Sequence, residues 1–138
     1  MGTSALVDLV RDGPVLSVGI ISADLGHLSD ALALLEGGGA RLVHVDVMDG
    51  IFCPMMTVGP PFVKAVRTSM LKDVHLMVDD PLSKVDWFVE AGADILTFHL
   101  EGASQPHRVL HVLGQAGVDR GVALNPSTPV DALEPLLD

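Results

Sequence analysis

Residues 42–50 read Leu42-Val43-His44-Val45-Asp46-Val47-Met48-Asp49-Gly50. From residue 43 to residue 48, valines alternate with His44, Asp46 and Met48. In a β-strand, side chains two residues apart point to the same face, so His44, Asp46 and Met48 would share one face. An imidazole and a carboxylate at the C-terminal end of one strand can hold a divalent metal together. The alternative is a surface histidine next to an aspartate that begins a loop.

The chain on both sides of this segment alternates short apolar runs with amphipathic stretches. Near-continuous apolar strands separated by helices predict a parallel sheet covered on its faces, which is the α/β class. The last helix would have Ser127 or Thr128 as its N-cap. The predicted strands are residues 15–21, 42–47, 74–78, 95–100 and 121–124, and the predicted helices are residues 28–36, 61–69, 81–91, 106–115 and 129–137.

Two architectures are compatible with this order, a doubly wound sheet and a (β/α)8 TIM barrel. The first strand is not followed by Gly-x-Gly-x-x-Gly, which weakens a dinucleotide-binding interpretation. Gly38-Gly39-Ala40 and Ala91-Gly92-Ala93 precede strands and are typical of turns in barrels. A complete barrel needs about 200–250 residues. We therefore expect residues 1–138 to form a single domain, a partial barrel of about five βα units, with the remaining units outside this sequence.

Composition excludes several classes of function. The 138 residues carry a net charge of −10, which disfavours binding to nucleic acid or to anionic membranes. No apolar run approaches the roughly 18–20 residues that cross a bilayer, and no secretory signal is recognisable, so we expect a cytoplasmic protein. The single Cys53 excludes an internal disulfide and zinc sites built from paired cysteines. A metal would need histidine and carboxylate ligands.

Histidines also occur near the ends of the next two strands. His75 lies in Asp73-Val74-His75-Leu76-Met77-Val78 and can converge with His44 and Asp46, because inward residues of neighbouring barrel strands face a shared axis. Two histidines and one carboxylate suit zinc, iron, manganese or cobalt; the alternative for His75 is a core histidine. At the end of the fourth predicted strand, His99 and Glu101 repeat the two-residue spacing of His44 and Asp46. They would either position other site residues or form a solvated strand end.

At these residues the sequence resembles the ribulose-phosphate 3-epimerase family, in family order from about residue 16 onward. The combination His-x-Asp-x-Met-Asp-Gly with His-x-Met-Val is a specific signature. Other phosphosugar barrels usually carry an Asp-x-Lys-x-x-Asp motif, which this sequence lacks. The matching segments are residues 21–25, 44–50, 75–78, 91–93 and 97–101, together with Phe52, Pro54, Thr57, Gly59, Asn125, Pro126 and Thr128.

The resemblance implies a metal-dependent isomerase of the pentose phosphate pathway that inverts C3 of a ketopentose 5-phosphate. The interconverted sugars would be D-ribulose 5-phosphate and D-xylulose 5-phosphate. His44, Asp46 and His75 correspond to three of the family's four metal ligands. Asp46 would also be one of two acid/base aspartates, and the metal would polarise the carbonyl next to C3.

The resemblance also implies residues that contact the sugar phosphate. His75 and Gly19 would lie against it, while Met48 and Met77 correspond to methionines that cover the reaction intermediate. The family's Pro-Ser is replaced at residues 18–19 by Val-Gly, which removes a hydroxyl from the substrate contacts. The Asn that usually follows Pro54 is replaced by Met55.

The second catalytic Asp and the Gly-rich phosphate loops of the family belong to strands six to eight, which we place outside this sequence. An alternative function is therefore a catalytically incomplete half-barrel that binds a metal or a partner chain. In either case, open strand edges predict a homo-oligomer.

Overall fold

A computed structural model describes residues 4–11 and 13–137, and five parallel strands form its central sheet. The predicted domain bounds, residues 1 and 138, lie outside this description. The strands are β1 Ser17–Gly19, β2 Leu42–Met48, β3 Leu71–Met77, β4 Ile95–His99 and β5 Asp119–Ala123. The helices are α1 Ala5–Val10, α2 Leu28–Gly37, α3 Pro60–Ala65, α4 Val85–Glu90 and α5 Pro106–Ala116. Shorter 3-10 segments are Leu25–His27, Pro81–Ser83, Leu100–Gly102 and Val130–Leu136.

The strand order decides between the two architectures that the sequence left open. Neighbours in the sheet are neighbours in the chain, in the order β1-β2-β3-β4-β5, and every pair is parallel. A doubly wound sheet reverses its order at a switch point, whereas a (β/α) barrel adds strands in sequence. The prediction of a partial barrel is therefore confirmed. Within the described residues, β1 and β5 are the two edges of the sheet.

The two faces of β2 differ in burial, as the spacing of two predicts. Val43, Val45 and Val47 are at most 4% exposed and pack into the main core. His44 and Asp46 are half-buried on the opposite face. The same alternation continues on β3. Core residues from the covering helices are Val63 of α3, Val85 and Phe88 of α4, and Val109 and Leu113 of α5.

Helix α1 covers the N-terminal end of the strands and was not predicted from the sequence. The Ser4 hydroxyl accepts a hydrogen bond from the Val7 N–H and caps the helix. Leu9 packs with Leu42 and Ile95, which lie at the starts of β2 and β4. Because this end is covered, the accessible end of the sheet is the C-terminal one, where barrel proteins place their sites.

Two predicted helices are shorter in the structure. The helix predicted at residues 61–69 ends at Ala65, because Val66 adopts an extended backbone with ψ of 103°. This turn buries Val66 and Met70, which are 2% and 5% exposed. The helix predicted at residues 81–91 begins as a separate 3-10 turn before α4.

The prediction of an α-helix at residues 129–137 is wrong. This segment is a 3-10 helix that contains Pro135, which lacks the N–H needed for an α-helical hydrogen bond. Its N-cap is Pro129 without a side-chain cap, so the predicted cap at Ser127 or Thr128 is also wrong. Within residues 4–11 and 13–137, no helix is both long enough and apolar enough to span a membrane.

Candidate metal centre

One carboxylate oxygen stands between two imidazoles at the accessible end of β2 and β3. Oδ1 of Asp46 lies 3.1 Å from Nε2 of His44 and 3.2 Å from Nδ1 of His75. The register pairs Asp46 with His75, so their side chains are neighbours on one face. Among the described residues, a ligand atom from each of these three side chains lies within 4.8 Å of the others.

The donor atoms fit a single divalent cation. Ligands that sit about 2.0–2.2 Å from one ion are roughly 3 Å from each other, which matches the spacing around Asp46. Imidazole nitrogens and a carboxylate oxygen suit zinc, iron, manganese and cobalt. The side chains of His44, Asp46 and His75 are 27%, 32% and 19% exposed, so they are accessible to an ion and partly shielded from water.

His44 is held from its other nitrogen by Asp73. Nδ1 of His44 donates to Oδ2 of Asp73 over 2.7 Å, and the Ser17 hydroxyl donates to the same oxygen over 2.9 Å. The hydrogen bond to Asp73 raises the pKa of His44, against the effect of burial. Burial alone would raise the pKa of Asp73, but the hydrogen bonds from His44 and Ser17 bring it below its ordinary value. The geometry directs Nε2 of His44 toward Asp46.

His75 has the opposite electrostatic environment. Burial lowers its pKa, and the hydrogen bond with Asp46 only partly offsets this effect. Its Nε2 lies 2.9 Å from Nε2 of His99, and the two rings are stacked with centroids 5.0 Å apart. His75 is therefore the histidine of the pair that favours the neutral form, the form that binds metals.

His99 and Glu101 connect β4 to the loop after β5. His99 is only 9% exposed, so the interpretation of this residue as part of a solvated strand end is wrong. Oε1 of Glu101 accepts hydrogen bonds from the Asn125 N–H at 2.7 Å and from the Thr128 hydroxyl. Burial would raise the pKa of Glu101, but these two hydrogen bonds lower it below its ordinary value.

The loop after β2 is anchored by polar side chains of its own. Oδ1 of Asp49 accepts from the N–H groups of Ile51 and Phe52, and its Oδ2 accepts from the Asp79 N–H. The Thr57 hydroxyl donates to the carbonyl of Asp46 at 2.7 Å. These bonds fix the backbone on which the Asp46 side chain is mounted.

The remaining sequence-predicted site residues lie near the cluster. Met48 and Met77 are register partners two residues beyond Asp46 and His75, and both are half-buried. Gly19 pairs with His44, and a Cβ at this position would meet no atom within 4 Å.

Sequence reasoning assigned no role to Asp73. The signal was available, because Asp73 precedes His75 by two residues and therefore shares its face of β3. It also pairs in register with His44, which only the strand alignment reveals.

Comparisons with known proteins agree with this geometry. Residues 15–138 match the model of the ribulose-phosphate 3 epimerase family. A ribulose-phosphate 3-epimerase of Treponema pallidum is 47% identical over 124 residues, which cover 88% of this chain and 57% of that protein. A Bacillus subtilis protein of the same name is 45% identical over 86% of the chain and 56% of its own length.

A chloroplastic relative gives the same result. The chloroplastic ribulose-5-phosphate-3-epimerase of Arabidopsis thaliana is 41% identical over 90% of this chain and 46% of its own length. The chain thus spans about half the length of the curated relatives it matches. From the family match and these identities, we conclude that the chain belongs to the ribulose-phosphate 3-epimerase family.

Proposed function

We propose that this chain carries the metal-binding part and one acid/base group of an isomerase that inverts C3 of a ketopentose 5-phosphate. D-ribulose 5-phosphate and D-xylulose 5-phosphate are the proposed substrate and product. The observation that carries the proposal is the oxygen of Asp46 placed between His44 and His75. The matched relatives are named epimerases, so the comparisons give no support to the alternative of a non-catalytic half-barrel.

His44, Asp46 and His75 would hold one divalent cation, which we expect to be zinc, iron, manganese or cobalt. The chemistry that a bound cation supplies is Lewis acidity, which stabilises negative charge on the carbonyl oxygen next to the carbon that loses its proton.

Asp46 is the proposed acid/base group of this chain. Its Oδ1 faces the two imidazoles, and we assign the C3 proton to its other oxygen, Oδ2. Inversion needs a second group on the opposite face of C3, because the proton must return from that side. From the family resemblance we expect this second aspartate on one of strands six to eight.

Three further residues would shape the substrate site. Met48 and Met77 would cover the reacting carbons with apolar thioethers, which exclude water from a charged intermediate. Gly19 leaves open space beside His44, where the sugar would lie against His75.

The proposal extends to partners and location. The partner would be a sugar phosphate, with no role for nucleic acid or membrane because of the net charge of −10. The exposed edges of β1 and β5 lead us to expect a homo-oligomer, and we keep the cytoplasm as the proposed location.

The test is the exchange of the C3 hydrogen of D-ribulose 5-phosphate with solvent deuterium, followed by NMR. Proton removal requires only the first acid/base group, so exchange reports on Asp46 separately from complete inversion. We expect exchange with the wild-type chain and a loss of about 10²–10⁴-fold in Asp46→Asn. Glu36→Gln, on the exposed surface of α2, serves as the control and should keep the wild-type rate. Absence of exchange in metal-loaded wild type, or an unchanged rate in Asp46→Asn, would contradict the proposal.

A further inference from the structure

Trp87 lies on the outer face of α4. Its side chain is 55% exposed, whereas Val85 and Phe88 of the same helix are buried in the core. It is the only tryptophan of the chain. Tryptophan is enriched at protein interfaces, and an aromatic side chain removes about 150–250 Å² from water when it is buried. The exposed indole is therefore a candidate anchor for a partner.

Two hollows in the surface meet at Trp87. One hollow of about 310 Å³ includes Lys64 of α3 and Glu90 of α4 in its lining. The other hollow, of about 360 Å³, is mostly apolar and includes Met56. Pro60 and Trp87 line both hollows, so these two side chains lie at the boundary between them. We call the surface formed by Met56, Pro60, Lys64, Trp87 and Glu90 the Trp87 patch.

The Trp87 patch has the shape that a symmetric contact requires. In a two-fold dimer the same patch of both copies forms the interface, so every contact occurs twice. An exposed indole beside a hollow satisfies this condition, because the indole of each copy can enter the apolar hollow of the other. The patch is therefore complementary to itself in shape.

The charges of the first hollow are complementary in the same way. Lys64 and Glu90 are both exposed, and neither side chain forms a hydrogen bond or an ion pair within residues 4–11 and 13–137. In a two-fold dimer, Lys64 of one copy opposite Glu90 of the other would form two ion pairs beside the two indoles.

The charge around the two hollows is balanced, although the chain is strongly acidic. The hollows are lined by two lysines, Lys64 and Lys84, and by two acidic residues, Asp49 and Glu90. The whole chain has 8 basic and 18 acidic residues. Two copies repel each other over most of their surfaces, so a locally neutral region is where they can approach.

The loop between β2 and α3 holds one side of the Trp87 patch in place. Asp49 and Met56 form a β-bridge. The Thr57 N–H donates to the carbonyl of Met48 at 3.2 Å, and the Thr57 hydroxyl accepts from the Met48 N–H at 3.0 Å. Met56 is therefore 77% exposed on a fixed backbone. A surface that is already formed loses less conformational entropy when a partner binds.

We propose that the Trp87 patch binds a second copy of this chain, with each indole in the apolar hollow of the partner and Lys64 opposite Glu90. This surface belongs to α3, α4 and the loop before α3, and it is distinct from the edges of the sheet at β1 and β5. The inference does not depend on the proposed catalytic function.

The test combines tryptophan fluorescence with sedimentation velocity of the 138-residue protein over a series of micromolar concentrations. Sedimentation detects association through any surface, whereas the fluorescence of the single Trp87 reports on this patch alone. We expect the mass to rise from one chain to two. The emission maximum should shift to shorter wavelength with the same midpoint, because the indole leaves water.

Charge reversal then tests the contact between copies. Lys64→Glu and Glu90→Lys each place like charges opposite one another twice, so each variant should associate about 10–100-fold more weakly. In an equimolar mixture the two variants are complementary, so a dimer with one copy of each should form with about the wild-type affinity. Arg108→Glu, an equal charge change on the exposed surface of α5, is the control and should associate like the wild type. Circular dichroism verifies that each variant is folded.

A wild type that stays monomeric would overturn the inference. A mass that rises without a shift of the Trp87 emission would also overturn it, because the contact would then lie at another surface, such as a sheet edge. Unchanged association in Lys64→Glu and Glu90→Lys, or a mixture that associates no better than the separate variants, would contradict the pairing of Lys64 with Glu90.

Discussion

His44 and His75 both have a carboxylate behind them, but at different distances. Asp73 contacts His44 directly at 2.7 Å and sits on a strand paired with that of His44. Glu101 reaches His75 only through His99, and its own position depends on the loop after β5. The support of His44 is therefore part of the sheet, whereas the support of His75 includes a loop. We expect the contact of Asp73 with His44 to contribute more to metal affinity than the contacts of His99 and Glu101 behind His75. We also expect the contacts behind His75 to be more sensitive to substitutions in the loop after β5.

The largest effect that separates the two supports is expected in Asp73→Asn. The amide keeps the shape of Asp73 but removes the charge that orients Nδ1–H of His44, so zinc affinity should fall about 100-fold. This loss should exceed that of Glu101→Gln because the contact to His44 is direct. Zinc competition measures both variants. Asp131→Asn, an exposed residue of the last 3-10 helix, is the control. A smaller loss of zinc affinity in Asp73→Asn than in Glu101→Gln would contradict the expectation that the direct contact to His44 contributes more.

A moderate effect is expected in the pH dependence of the free energy of unfolding, through Glu101 and its hydrogen bonds to the loop after β5. The folded-state pKa of Glu101 is below its ordinary value, since hydrogen bonds outweigh burial. Its contribution is therefore fully present above the unfolded pKa of about 4.3 and is lost as the pH falls through the folded pKa. Metal-free wild type should exceed Glu101→Gln by about 0.5–1 kcal/mol at neutral pH. Urea unfolding at a series of pH values should find this gap closing below about pH 4. A gap of the same size at about pH 3 would exclude the ionised carboxylate as its source.

The smallest effect is expected on the His44 side of the substrate site. Gly19→Ser restores the family's hydroxyl where a Cβ has open space, so the fold should be unaffected. One added hydrogen bond at the low end of the usual range, about 0.5 kcal/mol, should lower KM for D-ribulose 5-phosphate in the C3 hydrogen exchange about 2-fold. Gly19→Ala, which adds the Cβ without the hydroxyl, should keep the original KM. Equal changes in both variants would mean that the hydroxyl makes no bond to the sugar.

The sequence predicted the face of β2 and β3 that carries the cluster, because the spacing of two is a local property of the strand. The spacing of two in each strand therefore predicted that His44, Asp46 and His75 lie together. The contact between Asp73 and His44 could not be predicted, since it depends on the register that pairs these two residues across β2 and β3.

Other differences have equally physical causes. The burial of His99 depends on Phe52, which approaches from a loop more than 40 residues earlier in the chain. The last helix was predicted from apolar spacing, which did not account for the missing N–H of Pro135. Helix α1 was missed because it is short and its single buried residue, Leu9, is buried by tertiary contacts.

The central claim is that His44, Asp46 and His75 together bind one divalent cation. The most direct measurement is the metal content of wild type, His44→Ala and His75→Ala after loading with Zn²⁺ and dialysis, determined by elemental analysis. We predict one zinc per chain in the wild type and a loss of bound zinc in both variants. An unchanged zinc content in His75→Ala would contradict the account, because His75 is the ligand that β3 adds to the pair on β2.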